Sequence, residues 1–161
     1  MQMKSCRINF EQPRAFELRN IKPLAGVTGL YFIFCNSIWI AYPFKKCRLI
    51  YIGMSEKRTN SIGARLAGHF EGQSGNVGIF NYRKVDGLLF TYINFEMLKP
   101  IWSQRIEDLE SYFILDFVKN YGVYPICNNR TGLEVLKNEP SVDIKIDWPY
   151  FEREIQDGRL T

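Results

Sequence analysis

Three runs of aromatic and β-branched residues limit what this chain can fold into. They lie at 29–35 (Gly-Leu-Tyr-Phe-Ile-Phe-Cys), 48–53 (Arg-Leu-Ile-Tyr-Ile-Gly) and 87–95 (Gly-Leu-Leu-Phe-Thr-Tyr-Ile-Asn-Phe). Such composition predicts strands, and the first run is apolar on both alternating faces, as in a strand buried on two sides. Two helices are predicted beside them. Thr59, Asn60 and Ser61 are good N-caps ahead of Ile62 and Leu66, which lie one turn apart; Gly63 and Gly68 make this helix dependent on packing. A longer helix opens at Pro100 or Ser103 and runs to about 121 on an apolar stripe of Ile106, Leu109, Phe113 and Phe117, closed by Gly122 and Pro125.

The remaining segments read more weakly. Cys6, Ile8 and Phe10 alternate as a short strand. Residues 13–26 read as irregular connection, 36–46 as a long hairpin connection and 71–78 as a Gly-rich loop. Residues 142–146 alternate as an edge strand, and Pro149 opens a short polar helix over 150–157. With 161 residues, 46% hydrophobic and 24% charged, the chain fits one compact α/β domain spanning 1–161.

The charge balance is a mild +4, compatible with a polyanionic partner. The greasiest stretch, 30–42, is too short for a bilayer and contains Asn36 and Ser37. Residues 1–10 carry no signal-peptide core, so a cytoplasmic protein with no membrane partner is expected. The four cysteines show no Cys-x-x-Cys spacing and there is one histidine, which argues against structural zinc. The thiols read as reduced and mostly buried, with a Cys35–Cys47 bond across the hairpin left open.

Chemistry concentrates in an ordered set. Tyr31 and Tyr51 sit in Gly29-Leu30-Tyr31 and Tyr51-Ile52-Gly53, and on paired strands they project to one face if the register permits. Arg65 and His69, four apart on a helix, share a face. Glu110 lies on the second long helix, next to its apolar stripe, and Pro125-Ile126-Cys127-Asn128-Asn129 follows. By itself each tyrosine is a strand aromatic, Arg65 a solvated helix residue, Glu110 a helix carboxylate with Glu107 and Asp108 close by, and Asn128 a turn residue.

Taken in order over 29–129, these pieces resemble the GIY-YIG nuclease superfamily. The first signature is present as Gly-Leu-Tyr and the second intact as Tyr-Ile-Gly. The helix motif matches at Arg65 and His69, the acidic position at Glu110 and the closing Pro-x-x-Asn at Pro125 to Asn128, with Asn129 as the alternative. The interval from Tyr31 to Tyr51 is longer than is usual in the family, so the hairpin carries an insertion.

The resemblance implies a three-stranded antiparallel sheet flanked by helices, with extensions at 1–28 and 130–161. It also implies a metal-dependent DNA endonuclease leaving 5′-phosphate and 3′-hydroxyl ends. In that scheme Glu110 holds one Mg²⁺ or Mn²⁺, Arg65 contacts the scissile phosphate and Tyr31 acts as general base, with His69 and the metal-bound water as the candidates to take its proton. Tyr51 positions water or phosphate and Asn128 buttresses the site.

Lys57 and Arg58 before the helix, and Lys45 and Lys46 in the hairpin, are candidate DNA contacts. Lys45, Lys46 and Arg48 together also read simply as a solubilising hairpin tip. Trp39, Tyr42 and Phe44 in the insertion pack against the N-terminal segment or form an aromatic platform. The expected partner is double-stranded or branched DNA. Specificity is drawn from the insertion, the tails, a homodimer or a separate subunit. The competing class is a catalytically inactive nucleic-acid-binding or protein-interaction module on the same scaffold; a third option is an enzyme acting on another phosphodiester, RNA included.

Overall fold

A computed structural model of the chain describes residues 3–129, 142–156 and 159–160. In order these form β1 (Lys4–Ile8), β2 (Arg14–Ala15), α1 (Leu18–Ile21), β3 (Gly29–Phe34), β4 (Ile40–Ala41), β5 (Lys46–Cys47), β6 (Leu49–Ser55), α2 (Ile62–Glu71), α3 (Val77–Val85), β7 (Leu89–Asn94), α4 (Ile106–Tyr121), β8 (Val142–Ile146), β9 (Ile155–Gln156) and β10 (Arg159–Leu160). Short 3-10 turns follow α1 and β7, and a third covers Trp148–Glu152. Among the described residues the fold is mixed α/β with several small sheets and no closed barrel.

The main sheet has four strands in the order β2-β7-β3-β6, all pairs antiparallel, which corrects the expected three. The fourth is β2, two residues within the stretch read as irregular connection. Arg14 and Ala15 pair with Phe90 and Leu89, and α1 follows directly. So short a strand has no alternation to show in sequence; the edge of β7 supplies its partner.

Strand β3 is paired on both sides and wholly buried, as its unbroken apolarity predicted. Its alternation divides the molecule. Phe32 meets Phe10, Phe113 of α4 and Phe151, and Phe34 meets Tyr150 and Phe151. Tyr31 turns to the other face, toward α2. The expected polar helix over 150–157 is instead the 3-10 turn Trp148–Glu152, with Trp148, Tyr150 and Phe151 buried in the core. Position 157 and residues 130–141 of the C-terminal extension lie outside the described residues.

Helix α2 starts where the caps predicted. Ser61 Oγ accepts from the Ala64 amide at 3.2 Å, and Ile62 and Leu66 are fully buried. Helix α4 starts at Ile106, later than Pro100 or Ser103, and buries its whole predicted stripe. Helix α3 begins within the loop expected over 71–78. Its sequence, Val-Gly-Ile-Phe-Asn-Tyr-Arg-Lys-Val, buries only Ile79, so no apolar stripe announced it. Strands β1 and β8 pair with each other in parallel as a separate ladder.

The inserted hairpin carries the short β4–β5 pair. Tyr42 is buried; its hydroxyl donates to Leu49 O at 2.7 Å and accepts from the Ile126 amide at 3.0 Å. Phe44 stays exposed. Arg48 is no part of a solubilising tip. It is 1% exposed, donates to the Cys35 and Arg153 carbonyls and lies over the Phe34 and Trp39 rings. All four cysteines are free, so Cys35 and Cys47 are not bonded. Among the described residues, no helix is long and apolar enough to cross a membrane.

Gly29 shows why the first signature begins with glycine. Its φ is 150°, and a Cβ there would lie 1.9 Å from the Ile93 carbonyl oxygen on β7. Gly29→Ala should therefore destabilise the fold by about 2–4 kcal/mol in urea denaturation. An unchanged midpoint would show that the close β3–β7 approach is not required.

Candidate functional site

The register of β3 and β6 places Tyr31 opposite Gly53 and Tyr51 opposite Ile33, so both tyrosines project from one face. Their ring centroids are 6.0 Å apart. The Tyr31 ring lies over Gly53, where an added Cβ would come within 2.3 Å of its Cζ. That contact explains the glycine of Tyr-Ile-Gly: any side chain there would displace the phenol.

Helix α2 crosses the same face with Arg65 and His69 one turn apart. Arg65 Nε donates to the Tyr31 hydroxyl at 3.3 Å, and His69 Nε2 lies 3.0 Å from that oxygen. A guanidinium only donates, so the phenol oxygen accepts from Arg65; with His69 as its Nδ1–H tautomer, the phenol proton points to Nε2. Neutral His69 then carries its proton on Nδ1, 2.7 Å from Ser74 Oγ, which also accepts from the Asn76 amide at 3.2 Å.

Burial raises the Tyr31 phenol well above the ordinary range; Tyr51 adds to this and Arg65 opposes it. Burial, then the Arg65 charge, pulls the His69 imidazole down to about 4. Burial alone would lower Arg65, but the phenol oxygens of Tyr31 and Tyr51 outweigh it and the net shift is upward. At neutral pH this leaves a protonated phenol, a neutral imidazole and a charged guanidinium.

These groups border a cavity of about 520 Å³. Its wall includes Tyr51, Arg65, His69, Asn60, Gln73 and Asn129. Tyr31 is 0% exposed and sits behind Arg65 and His69 rather than in the wall. Asn128 clamps β6: its Oδ1 accepts from the Ile52 amide at 2.9 Å and its Nδ2 donates to the Ile52 carbonyl at 2.8 Å. Asn129, the alternative, faces the cavity.

Glu110 is not in this wall. It is buried on α4, which packs against β6 and, through Phe113, on the side of β3 turned away from Tyr31. The cavity residues do not fit a divalent cation, because their one charged side chain is a guanidinium and their oxygens are neutral amides and hydroxyls. Among the described residues, no three His, Cys, Asp or Glu side chains cluster as metal ligands.

The other basic candidates lie elsewhere. Lys57 and Arg58 are exposed on the turn before α2, with Arg58 facing a different cleft beside Leu18 and Ala67. Lys45 pairs with Glu152 at 3.0 Å and lies over Tyr121, and Lys46 lies over Trp39. Gln73 carries no signal in the sequence and Asn60 reads only as a cap, because isolated amides among Gly, Ser and Thr look like ordinary turn composition.

Compared with family models, curated proteins and solved structures, the chain matches none.

With a single histidine in the chain, the imidazole Cε1–H resonance reports His69 alone. Its midpoint should fall near pH 4. A midpoint near the ordinary value of about 6.5 would show that the ring is open to water. Between those values the unfolded chain binds the proton that the native chain refuses, so stability rises with pH across the window. Acidification from about 6.5 to 4 should cost stability at up to about 1.4 kcal/mol per pH unit, and His69→Gln should flatten that slope.

Proposed function

We propose that this chain is a nuclease of the GIY-YIG type that hydrolyses DNA phosphodiester bonds at the Tyr51–Arg65–His69 cavity. The observation that carries this reading is the convergence of Tyr31, Tyr51, Arg65 and His69. They come from two strands and a helix and meet at one phenol oxygen beside an open cavity. Arg65 binds the phosphate. Its Nε is held by Tyr31, which fixes the guanidinium plane and leaves the terminal nitrogens for phosphate oxygens. Charge accumulating on those oxygens during attack is met by a cation already in place.

Proton transfer follows the hydrogen-bond chain. For Tyr31 to act as the base, a water has to enter behind Arg65 and His69; its proton then passes to Tyr31 as the Tyr31 proton passes to His69 Nε2, the hydroxide bonds to phosphorus, and the P–O3′ bond breaks with the 3′ oxygen taking a proton from solvent. Arg65 stabilises the phenol oxygen during the exchange, and Ser74 holds the imidazole in the receiving tautomer. The resemblance assigns an Mg²⁺ or Mn²⁺ ion to Glu110. That assignment belongs to the same proposal, although the cavity itself offers the ion no carboxylate.

A second reading is a nucleic-acid-binding module that has lost turnover. It is favoured by the complete burial of Tyr31 and by a cavity wall that does not include Glu110.

The two readings separate in one experiment. With supercoiled plasmid and Mg²⁺ or Mn²⁺, the native chain should nick DNA. Arg65→Ala should lower the rate by about 10²–10³, and Glu110→Gln should lower it as well. Equal nicking by all three proteins points to a contaminant and ends the nuclease reading. Salt-dependent DNA binding without cleavage establishes the second.

A further inference from the structure

Five carboxamide side chains lie at or beside the cavity, and they are not equivalent. Asn76 caps α3 by accepting from the Ile79 amide at 3.0 Å and donates to the Cys127 carbonyl at 3.0 Å. Asn128 is fully engaged by Ile52. By contrast, the amides of Asn60, Gln73 and Asn129 line the cavity and make no hydrogen bond to any described residue. They come from three separate segments: the turn before α2, the loop after it, and the turn that follows Pro125. They share the wall with Arg65, the one charged side chain among the described residues that line it.

We propose that Asn60, Gln73 and Asn129 select the nucleotide attached to the phosphate held by Arg65, and that this nucleotide is unpaired. The proposal rests on the phosphodiester reading above and names the substrate class of that site.

An amide offers one donor edge and one acceptor edge without charge. That suits a base edge, where the pairing is bidentate, and does little for a second phosphate. One guanidinium ringed by neutral amides is therefore built for one phosphate and one base, rather than for a run of backbone. A volume of about 520 Å³ is of small-ligand size. Amides set in a concave wall reach the pairing edge of a base only when that base has left the stack or was never paired. Tyr51, in the same wall, presents an aromatic ring to it.

The test is fluorescence anisotropy at several salt concentrations. The probes are labelled single strands of adenine, cytosine or thymine alone, about twelve nucleotides long, and the adenine–thymine duplex of the same length. The native chain should prefer one single strand over another by about fivefold or more, and single strands over duplex. In Asn60→Ala/Gln73→Ala, and separately in Asn129→Ala, that preference should shrink to roughly twofold or less. The slope of log affinity against log salt should stay unchanged, because no charge is removed. All three residues are exposed, so the replacements leave the core untouched. Arg65→Ala should instead weaken binding of every strand alike and reduce the slope by about one.

Arg65-dependent binding with no base preference, with a preference the amide variants do not move, or with the duplex bound tightest overturns this proposal and leaves the phosphodiester reading standing. Absence of salt-dependent binding, or indifference to Arg65→Ala, overturns both.

Discussion

The hydroxyl of Tyr31 is where the sheet and helix α2 are joined by chemistry rather than packing alone. It is fully buried, accepts from Arg65 and shares a hydrogen bond with His69. Removing it would leave a buried imidazole nitrogen and a half-buried guanidinium short of partners, which costs more than the net value of the bonds themselves. The arrangement depends on two backbone details. Gly53 leaves room for the phenol ring, and the Asn128 clamp on Ile52 fixes the strand one residue before it. The protonation states of the cavity wall follow from that geometry.

The alternation of β3 assigns different work to its two faces. Phe32 and Phe34 anchor an aromatic core shared with Phe10, Phe113, Tyr150 and Phe151, while Tyr31 carries the polar network. Because the apolar face is packed by segments from both ends of the sequence, the strand is immobilised without spending any polar group on the task. Arg48 contributes to the same end, tying the carbonyls of Cys35 and Arg153 together from inside the core. Lys45 and Arg48 hold the C-terminal segment, and Arg65 is the one cation among the described residues that line the cavity.

Much of this was legible in the residues. The central strands announced themselves through continuous apolarity, α2 through its Ser61 cap and α4 through its stripe, and the Arg65–His69 spacing put both side chains on one face. What escaped had no local signal. β2 is too short to alternate. α3 buries only Ile79, so its periodicity is weak, and its place is fixed by the Asn76 cap and by packing on α2. Arg48 sits in an otherwise basic stretch, and nothing in its neighbours distinguishes a buried guanidinium from a solvated one. Glu110 follows Leu109 and precedes Ser111, both fully buried, so its own burial reflects where α4 presses on the sheet. The free amides were invisible for a related reason: their significance lies in lacking partners, a property of the assembled wall.

The parallel pairing of β1 with β8 has a consequence for how the molecule forms. Lys4–Ile8 finds its partner only at Val142–Ile146, and the Tyr150 hydroxyl reaches back to the Glu11 carbonyl across 139 positions. Contacts of such long sequence separation carry a large loop-closure entropy and slow the search for the native state. During synthesis β1 emerges long before β8 exists, and the Phe32 side of the central strand stays only partly covered until Tyr150 and Phe151 have been made. That interval is when the nascent chain is most open to aggregation.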